Sequence, residues 1–326
     1  MKKGRQVLYL SKSDVENVNM PMSEMIDLLE VAFTAKGNNQ IEMPPKPGIH
    51  TRENCYIHAM PCWIPELKSA GMKWVSGYPS NQEIGLPYIN GLLVLNCPDT
   101  GVPLVIMDSV WITAMRTGAV TGLSAKYLAR PGSEELGILG CGVQGRTNLE
   151  GLLVTCPDIK KVKAYDAFPE ISKAYAKNMS EQFGVEVIQV ATPKEAIVNS
   201  DIIVTAGPIV KNPTPVIEAE WIKEGALLAP VDFDCMWKRE AIELAAKNYT
   251  DDFGQFDHFK NAGYFNFTPK NLYELGQLLT KQAPGRENDR EIILANNIGI
   301  AMDDMATAIR IYERALEKDL GVILPL

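Results

Sequence analysis

Three glycines, Gly140, Gly142 and Gly145, stand at G-x-G-x-x-G spacing inside Glu135-Leu-Gly-Ile-Leu-Gly-Cys-Gly-Val-Gln-Gly-Arg146. An apolar strand enters this turn and an amphipathic run leaves it, the context in which a backbone turn cradles a pyrophosphate. Gly140 permits the tight turn, Gly142 lets the backbone approach the phosphates, and Gly145 lets the following helix pack close to the strand. A helix beginning at Val143 and Gln144 offers unpaired N–H groups and the positive end of its dipole to an anion. Asp166 ends the next apolar run, 26 residues after Gly140. An acid near this distance accepts hydrogen bonds from ribose hydroxyls. A carboxylate there repels a 2′-phosphate, so NAD(H) is expected in preference to NADP(H). Arg146 has two readings, a phosphate contact or a place on the solvated helix face.

A dinucleotide-dependent reaction also needs a substrate anchor and a proton acceptor. Lys73 is the one charge in the apolar run Ala70-Gly-Met-Lys-Trp-Val-Ser-Gly77, so it either lies at a sheet edge facing water or points into a site. Arg116 sits among small residues of an apolar helix. A buried arginine is rare unless paired, so it binds an anion or meets an acid, and the anion is the reading taken forward. Lys46, between prolines in Met43-Pro-Pro-Lys-Pro-Gly48, is a pocket-rim cation or a plain exposed lysine. Asp232 and Asp234 follow the apolar strand Ala226–Ala229. A carboxylate at the carboxyl end of a strand is placed for proton transfer, although Asp234 would equally cap a helix starting at Met236.

Composition sets the frame. With 32 Lys and Arg against 40 Asp and Glu, the formal charge is −8, and no basic run offers a nucleic acid or an anionic membrane a footing. No stretch of about 18 apolar residues exists to span a bilayer. The apolar run Val7–Leu10 is too short for a signal peptide, so the cytoplasm is the expected compartment. Six cysteines without a C-x-x-C pair read as reduced thiols, and three scattered histidines give no metal site.

The elements that position these residues fall into two sets. The first hundred residues carry short strands, Val7–Leu10, Cys55–Met60, Met72–Ser76, Tyr88–Asn96 and Val102–Met107, the last two joined by the turn Cys97-Pro-Asp-Thr-Gly101. Helices are expected over Met22–Ala35, Asp108–Leu128 and Ile298–Leu320, with Ser11 capping a short one. From Leu136 to about Val231, strands (Leu136–Leu139, Val162–Tyr165, Val185–Val190, Ile202–Thr205, Ala226–Ala229) alternate with helices (Val143–Thr155, Pro169–Phe183, Pro193–Asn199). Alternation predicts an α/β fold with a Rossmann-type, doubly wound parallel sheet. Ligands then sit beyond the strand ends, where Thr205-Ala206 and Asp232 lie. Met236–Lys247 and Asn271–Leu279 are expected to be helical.

With these residues in view, the chain resembles the ornithine cyclodeaminase/mu-crystallin family. The resemblance rests on Gly71-Met-Lys-Trp-Val-Ser-Gly-Tyr-Pro-Ser-Asn81, Gly91–Asn96, Met107-Asp-Ser-Val-Trp-Ile-Thr-Ala-Met-Arg-Thr-Gly-Ala119, the glycine turn and Gly299-Ile-Ala-Met-Asp-Asp304. It implies a Rossmann domain binding a nicotinamide dinucleotide over residues 119–295. It also implies an α+β substrate-binding and dimerisation domain from both chain ends, 1–118 and 296–326. The implied activity is hydride transfer at the C–N bond of a small amino or imino acid, as in an amino acid dehydrogenase or ketimine reductase. Two alternatives stand beside it: a redox-neutral cyclodeaminase releasing ammonia with recycled NAD, and a non-catalytic crystallin-like binding protein. Lys73 and Arg116 match the family's carboxylate-binding pair, which orients the substrate carbon under the nicotinamide, and Asp234 matches its acid/base. Substrate contacts are thus expected from Lys46, Lys73 and Arg116. Cofactor contacts are expected from Thr117, Gly140, Gly142, Val143, Gln144, Gly145, Asp166, Thr205, Ala206 and Asp232. The chain departs from the family at Lys46, where an arginine is usual, and at Cys235-Met-Trp-Lys238, where a Pro-Gly-Lys run is usual. The bulky Met236-Trp237 pair is expected to reshape the pocket.

Overall fold

The computed structural model describes residues 2–265 and 267–326. The chain divides into two compact units, residues 1–116 with 299–326, and residues 117–298. The division falls inside the helix Val110–Leu128.

The first unit is built on a seven-stranded sheet, in the spatial order Val322–Pro325, Gln6–Leu10, Pro103–Asp108, Ile89–Asn96, Ser69–Gly77, Cys55–Ile64 and Gly48–Arg52. Neighbours are antiparallel except Gln6–Leu10, which runs parallel to Pro103–Asp108. The turn read at Cys97–Gly101 forms, with Gly101 N donating to Cys97 O at 2.8 Å. Ser11 caps Lys12–Asn17 in a reciprocal box with Asp14. Asp108 Oδ1 accepts from Val110 N at 3.0 Å and so starts the helix Val110–Leu128. The helix Ala301–Glu317 packs its apolar stripe (Met302, Met305, Ala308, Ile311, Ala315) on the strands Cys55–Ile64 and Ser69–Gly77. It begins three residues later than Ile298, because Gly299 takes φ +77° and Ile300 is extended. The edge strands Gly48–Arg52 and Val322–Pro325 carry no alternating pattern and were not legible: all their residues are exposed.

The second unit holds eight parallel strands in the order Leu272–Glu274, Lys247–Thr250, Ile293–Asn296, Leu227–Pro230, Ile202–Thr205, Glu135–Leu139, Lys161–Tyr165 and Glu186–Gln189. The central strands are buried along their length, as a sheet covered on both faces requires. Strand order reverses between Glu135–Leu139 and Ile202–Thr205, which places a ligand crevice at their carboxyl ends. Two sequence expectations fail here. Met236–Lys247 is not one helix: only Arg239–Ile242 is helical, and Lys247–Thr250 is a buried strand. Its polar residues disguise it, since Lys247 is met by Glu287 and Glu291, and Asn248 by Lys270 O. Asn271–Leu279 splits into the strand Leu272–Glu274 and a short helix, Leu275–Leu279, boxed by Glu274 and Gln277. No described helix is long and apolar enough to cross a membrane.

Candidate functional site

In the parallel-sheet unit the glycine turn joins the strand Glu135–Leu139 to the helix Val143–Thr155. The three glycines do different work. Gly140 has φ +102°, and a Cβ there would lie 2.5 Å from Ala206 O. A Cβ on Gly145 would lie 2.3 Å from Gly140 O, so both are required by the fold itself. Gly142 has φ −77°, and a Cβ on it would meet nothing within 4 Å. Neither backbone strain nor packing explains Gly142. Open space before the first N–H groups of a helix, with Val143 61% exposed beside it, suits a phosphate ligand. Gln144 O accepts from Asn148 Nδ2 at 2.8 Å and so lies in the first helical turn. Arg146 stacks over the Tyr175 ring, whose hydroxyl donates to Gly145 O at 2.9 Å. This third role for Arg146 braces the turn.

Asp166 is half-buried and already holds the turn: Oδ2 accepts from Cys141 N at 2.8 Å and Oδ1 from Phe168 N at 3.0 Å. Each oxygen keeps a lone pair, so the residues present fit a dinucleotide with its ribose at Asp166.

Thr205, Ala206 and Asp232 meet at the neighbouring strand ends. Asp232 is buried. Its Oδ1 accepts from Thr205 Oγ1 at 2.5 Å and its Oδ2 from Gly207 N at 3.0 Å. Burial drives its pKa up from 3.8 to about 6, against the pull of those donors. Trp237 does not reshape a pocket. It is a core residue whose Nε1 donates to Thr205 Oγ1 at 2.9 Å, extending the chain of hydrogen bonds that ends on Asp232. Asp234 is buried, and Lys238, not Asp234, occupies the cap position of the next helix. Phe233 stands between the two acids with φ +63°, held by Phe259 and Phe265 at ring separations of 4.9 and 4.7 Å. A bulky residue in that region is uncommon, and the aromatic cluster fixes it there. Thr117 is buried, its carbonyl accepting from Thr121 Oγ1.

In the other unit the three cations come together. Lys73 lies on a central strand, not an edge, and is 0% exposed; Arg116 is 6% and Lys46 8% exposed. Lys73 Nζ is 2.6 Å from Asp304 Oδ2 and donates to Thr113 Oγ1 at 3.3 Å. Arg116 Nε donates to Asp304 Oδ1 at 3.3 Å, and its Nη1 is 3.5 Å from Asp303 Oδ2. Arg116 therefore meets acids, one of the two readings its place in an apolar helix allows. Lys46 Nζ donates to Gly299 O at 2.8 Å, so it is neither a rim cation nor exposed. A Cβ on Gly299 would lie 2.7 Å from Arg116 Nη1, so this glycine makes room for the guanidinium. Desolvation lowers the Lys73 pKa from 10.5 to about 8, with Asp304 opposing and Arg116 adding to the fall. Burial beside the two acids pushes the Cys62 thiol well up. All six cysteines are free and buried. No cluster of three or more metal-ligating side chains occurs among the described residues.

Asp303 and Asp304 were given no role from the sequence. Acids in a first helical turn are ordinary because they favour the dipole, and nothing local reports that these two are fully buried. Asp303 does serve the helix, its Oδ2 accepting from Ile300 N at 3.2 Å. Asp304 pairs with both Lys73 and Arg116.

Comparison with known proteins agrees with this geometry. Residues 5–319 match the sequence model of the ornithine cyclodeaminase/mu-crystallin family. An alanine dehydrogenase of Archaeoglobus fulgidus is 34% identical, over 97% of both chains. The structure of Thermococcus litoralis Δ1-pyrroline-2-carboxylate reductase in complex with NADH and L-proline superposes with TM-score 0.88 and 34% identity, covering 97% of this chain and 99% of the other. An archaeal alanine dehydrogenase dimer with bound NAD superposes equally well, at 32% identity, covering 98% and 99%. The glycine turn, the doubly wound sheet and the matched length together make this chain a member of the ornithine cyclodeaminase/mu-crystallin family.

Proposed function

We propose that the protein is an NAD(H)-dependent oxidoreductase acting at the C–N bond of a small amino or imino acid, of the amino acid dehydrogenase or ketimine reductase type. The observation that carries the reading is the buried cluster in which Lys73 and Arg116 share Asp304, with Lys46 also buried and bonded to Gly299 O, a gathering of cations suited to a carboxylate. The relatives at 34% identity, one named a dehydrogenase and one a reductase, favour this reading over a redox-neutral cyclodeaminase.

In this proposal the unit 1–116 with 299–326 binds substrate, and the unit 117–298 binds the dinucleotide. NAD(H), when bound, takes or gives the hydride at the nitrogen-bearing carbon. Lys73 and Arg116 hold the substrate carboxylate, and fixing that group restricts the reacting carbon to one approach. Proton transfer at the substrate nitrogen is assigned to Asp234, a buried carboxylate just beyond the strand Leu227–Pro230, with Asp232 beside it held by Thr205 and Gly207. The backbone N–H groups of Val143 and Gln144 receive the pyrophosphate, and Asp166 the ribose, which disfavours a 2′-phosphate. A homodimer accords with the dimeric archaeal relative. It also accords with the cross-strand pair Trp74 and Leu92, each 45% exposed.

The test is absorbance at 340 nm with purified protein, NAD or NADP, and a panel of small amino acids and cyclic imino acids. Net reduction of NAD by an amino acid, or oxidation of NADH by an imine, is expected, with NADP(H) weaker. Ammonia release at constant absorbance would instead make the protein a cyclodeaminase. Tight NADH binding without turnover on any member of the panel would make it a binding protein.

A further inference from the structure

The three buried cations reach the cluster from separate parts of the chain. Lys73 comes from a mid-sheet strand, Arg116 from the helix Val110–Leu128 and Lys46 from the extended segment before Gly48. Two like charges in one buried cluster repel, and each by itself carries a large desolvation cost. One side chain offsets both. Asp304 places Oδ2 2.6 Å from Lys73 Nζ and Oδ1 3.3 Å from Arg116 Nε, with neither oxygen spent on capping its own helix. Asp303 divides its attention between Arg116 and Ile300 N.

We propose that Asp304 is the positioning residue of the substrate anchor: bridging Lys73 and Arg116, it keeps the Lys73 ammonium charged and holds both cations at fixed separation before any carboxylate arrives. The proposal rests on the reading of Lys73 and Arg116 as carboxylate anchors and gives Asp304 a part that the reading lacks. A preformed clamp loses less freedom on binding than one assembled around its ligand. The charged groups facing Lys73 are few. Asp303 and Asp304 come from the helix Ala301–Glu317, and Arg116 from Val110–Leu128. The strand Cys55–Ile64 brings Cys62 up to the two acids. The strand Ile89–Asn96 has no titratable residue. Of these, Asp304 is the one in direct contact with Lys73, and its contact opposes the effect of burial on the ammonium.

The experiment follows Lys73 itself. In protein labelled with 13C at lysine Cε, the Lys73 resonance is the one missing from Lys73→Met. In the unaltered protein it should report a charged ammonium at pH 7 and titrate near pH 8. In Asp304→Asn the midpoint should fall by at least about one pH unit, a tenfold change in the protonation equilibrium. In steady-state assays KM for the amino acid should rise about tenfold at pH 7, with NADH affinity unchanged, and Asp304→Glu should restore most of it. KM of the unaltered enzyme should rise above pH 8, and that rise should begin at lower pH in Asp304→Asn. A Lys73 midpoint unmoved by the substitution overturns the proposal. So does a neutral Lys73 at pH 7 in the unaltered protein, an outcome read without Asp304→Asn. If no amino acid is turned over, the proposed function fails while the resonance still decides the role of Asp304.

Discussion

The glycine turn and the cation cluster are built by opposite means. The turn Gly140–Gly145 presents backbone and needs side chains to be absent. It lies within one strand–helix junction, and among the described residues Asp166 and Arg146 are the charged side chains that brace it. The cluster presents side chains collected from positions 46, 73, 116, 303 and 304, buried together with their charges. The turn is therefore stable with or without a ligand. The cluster holds charge out of water at a cost that a hydrophobic core would not carry.

That difference can be broken most forcefully at Lys73. Lys73→Met removes one partner of a fully buried pair and leaves Asp304 with Arg116 alone. Unfolding in urea should show a loss of about 3–5 kcal/mol, the usual cost of stranding a buried charge. The double variant Lys73→Met, Asp304→Leu should recover most of the loss, because an apolar pair of similar volume is often as stable as the ion pair. Both variants should lack turnover. A single variant as stable as the parent would mean that the cluster is solvated, and the contrast with the turn would disappear.

A smaller effect separates the two regions by the sign of their pH dependence. Asp232, beside the strand ends of the parallel sheet, is held by neutral donors and has its pKa raised from 3.8 to about 6. Between pH 4 and pH 6 the folded protein binds a proton that the unfolded chain has released. Stability from this group is full below pH 4 and falls as pH rises towards 6, by up to about 3 kcal/mol. Lys73 has its pKa lowered from 10.5 to about 8. There the unfolded chain binds the extra proton, so stability rises from pH 8 towards 10.5. Asp232→Asn should flatten the lower window and leave the upper one intact, as read by urea midpoints across pH. A slope between pH 4 and 6 that survives the substitution would assign it to another carboxyl.

Legibility in the sequence followed the same division. The strands Glu135–Leu139, Ile202–Thr205 and Leu227–Pro230 were readable because burial on both faces makes them uniformly apolar and turn residues bound them. The glycine turn was readable because its function is local. Lys247–Thr250 was not, since a lysine and an asparagine buried on distant partners look like a solvated helix face. The cations Lys73 and Arg116 stood out as charges in apolar runs. Their partner Asp304 did not, because an acid near a helix start has an everyday local explanation. Burial of charge is a property of tertiary packing, and a spacing rule cannot report it.

The last way to sharpen the comparison lies within the turn, where two glycines three residues apart should behave differently. Gly145→Ala puts a Cβ 2.3 Å from Gly140 O, a backbone atom that cannot swing aside. Overpacking of that kind costs about 1–3 kcal/mol, so thermal and urea midpoints should fall, and NADH binding should weaken along with the fold. Gly142→Ala adds a methyl group to open space at an ordinary φ of −77°. Its stability should stay within about 0.5 kcal/mol of the parent. Its affinity for NADH, measured by fluorescence titration, should still drop about tenfold, or 1.4 kcal/mol, because the methyl group fills the space a pyrophosphate would take. Equal NADH affinity in Gly142→Ala and the parent would show that the phosphates do not approach this turn, and the backbone half of the comparison would fall.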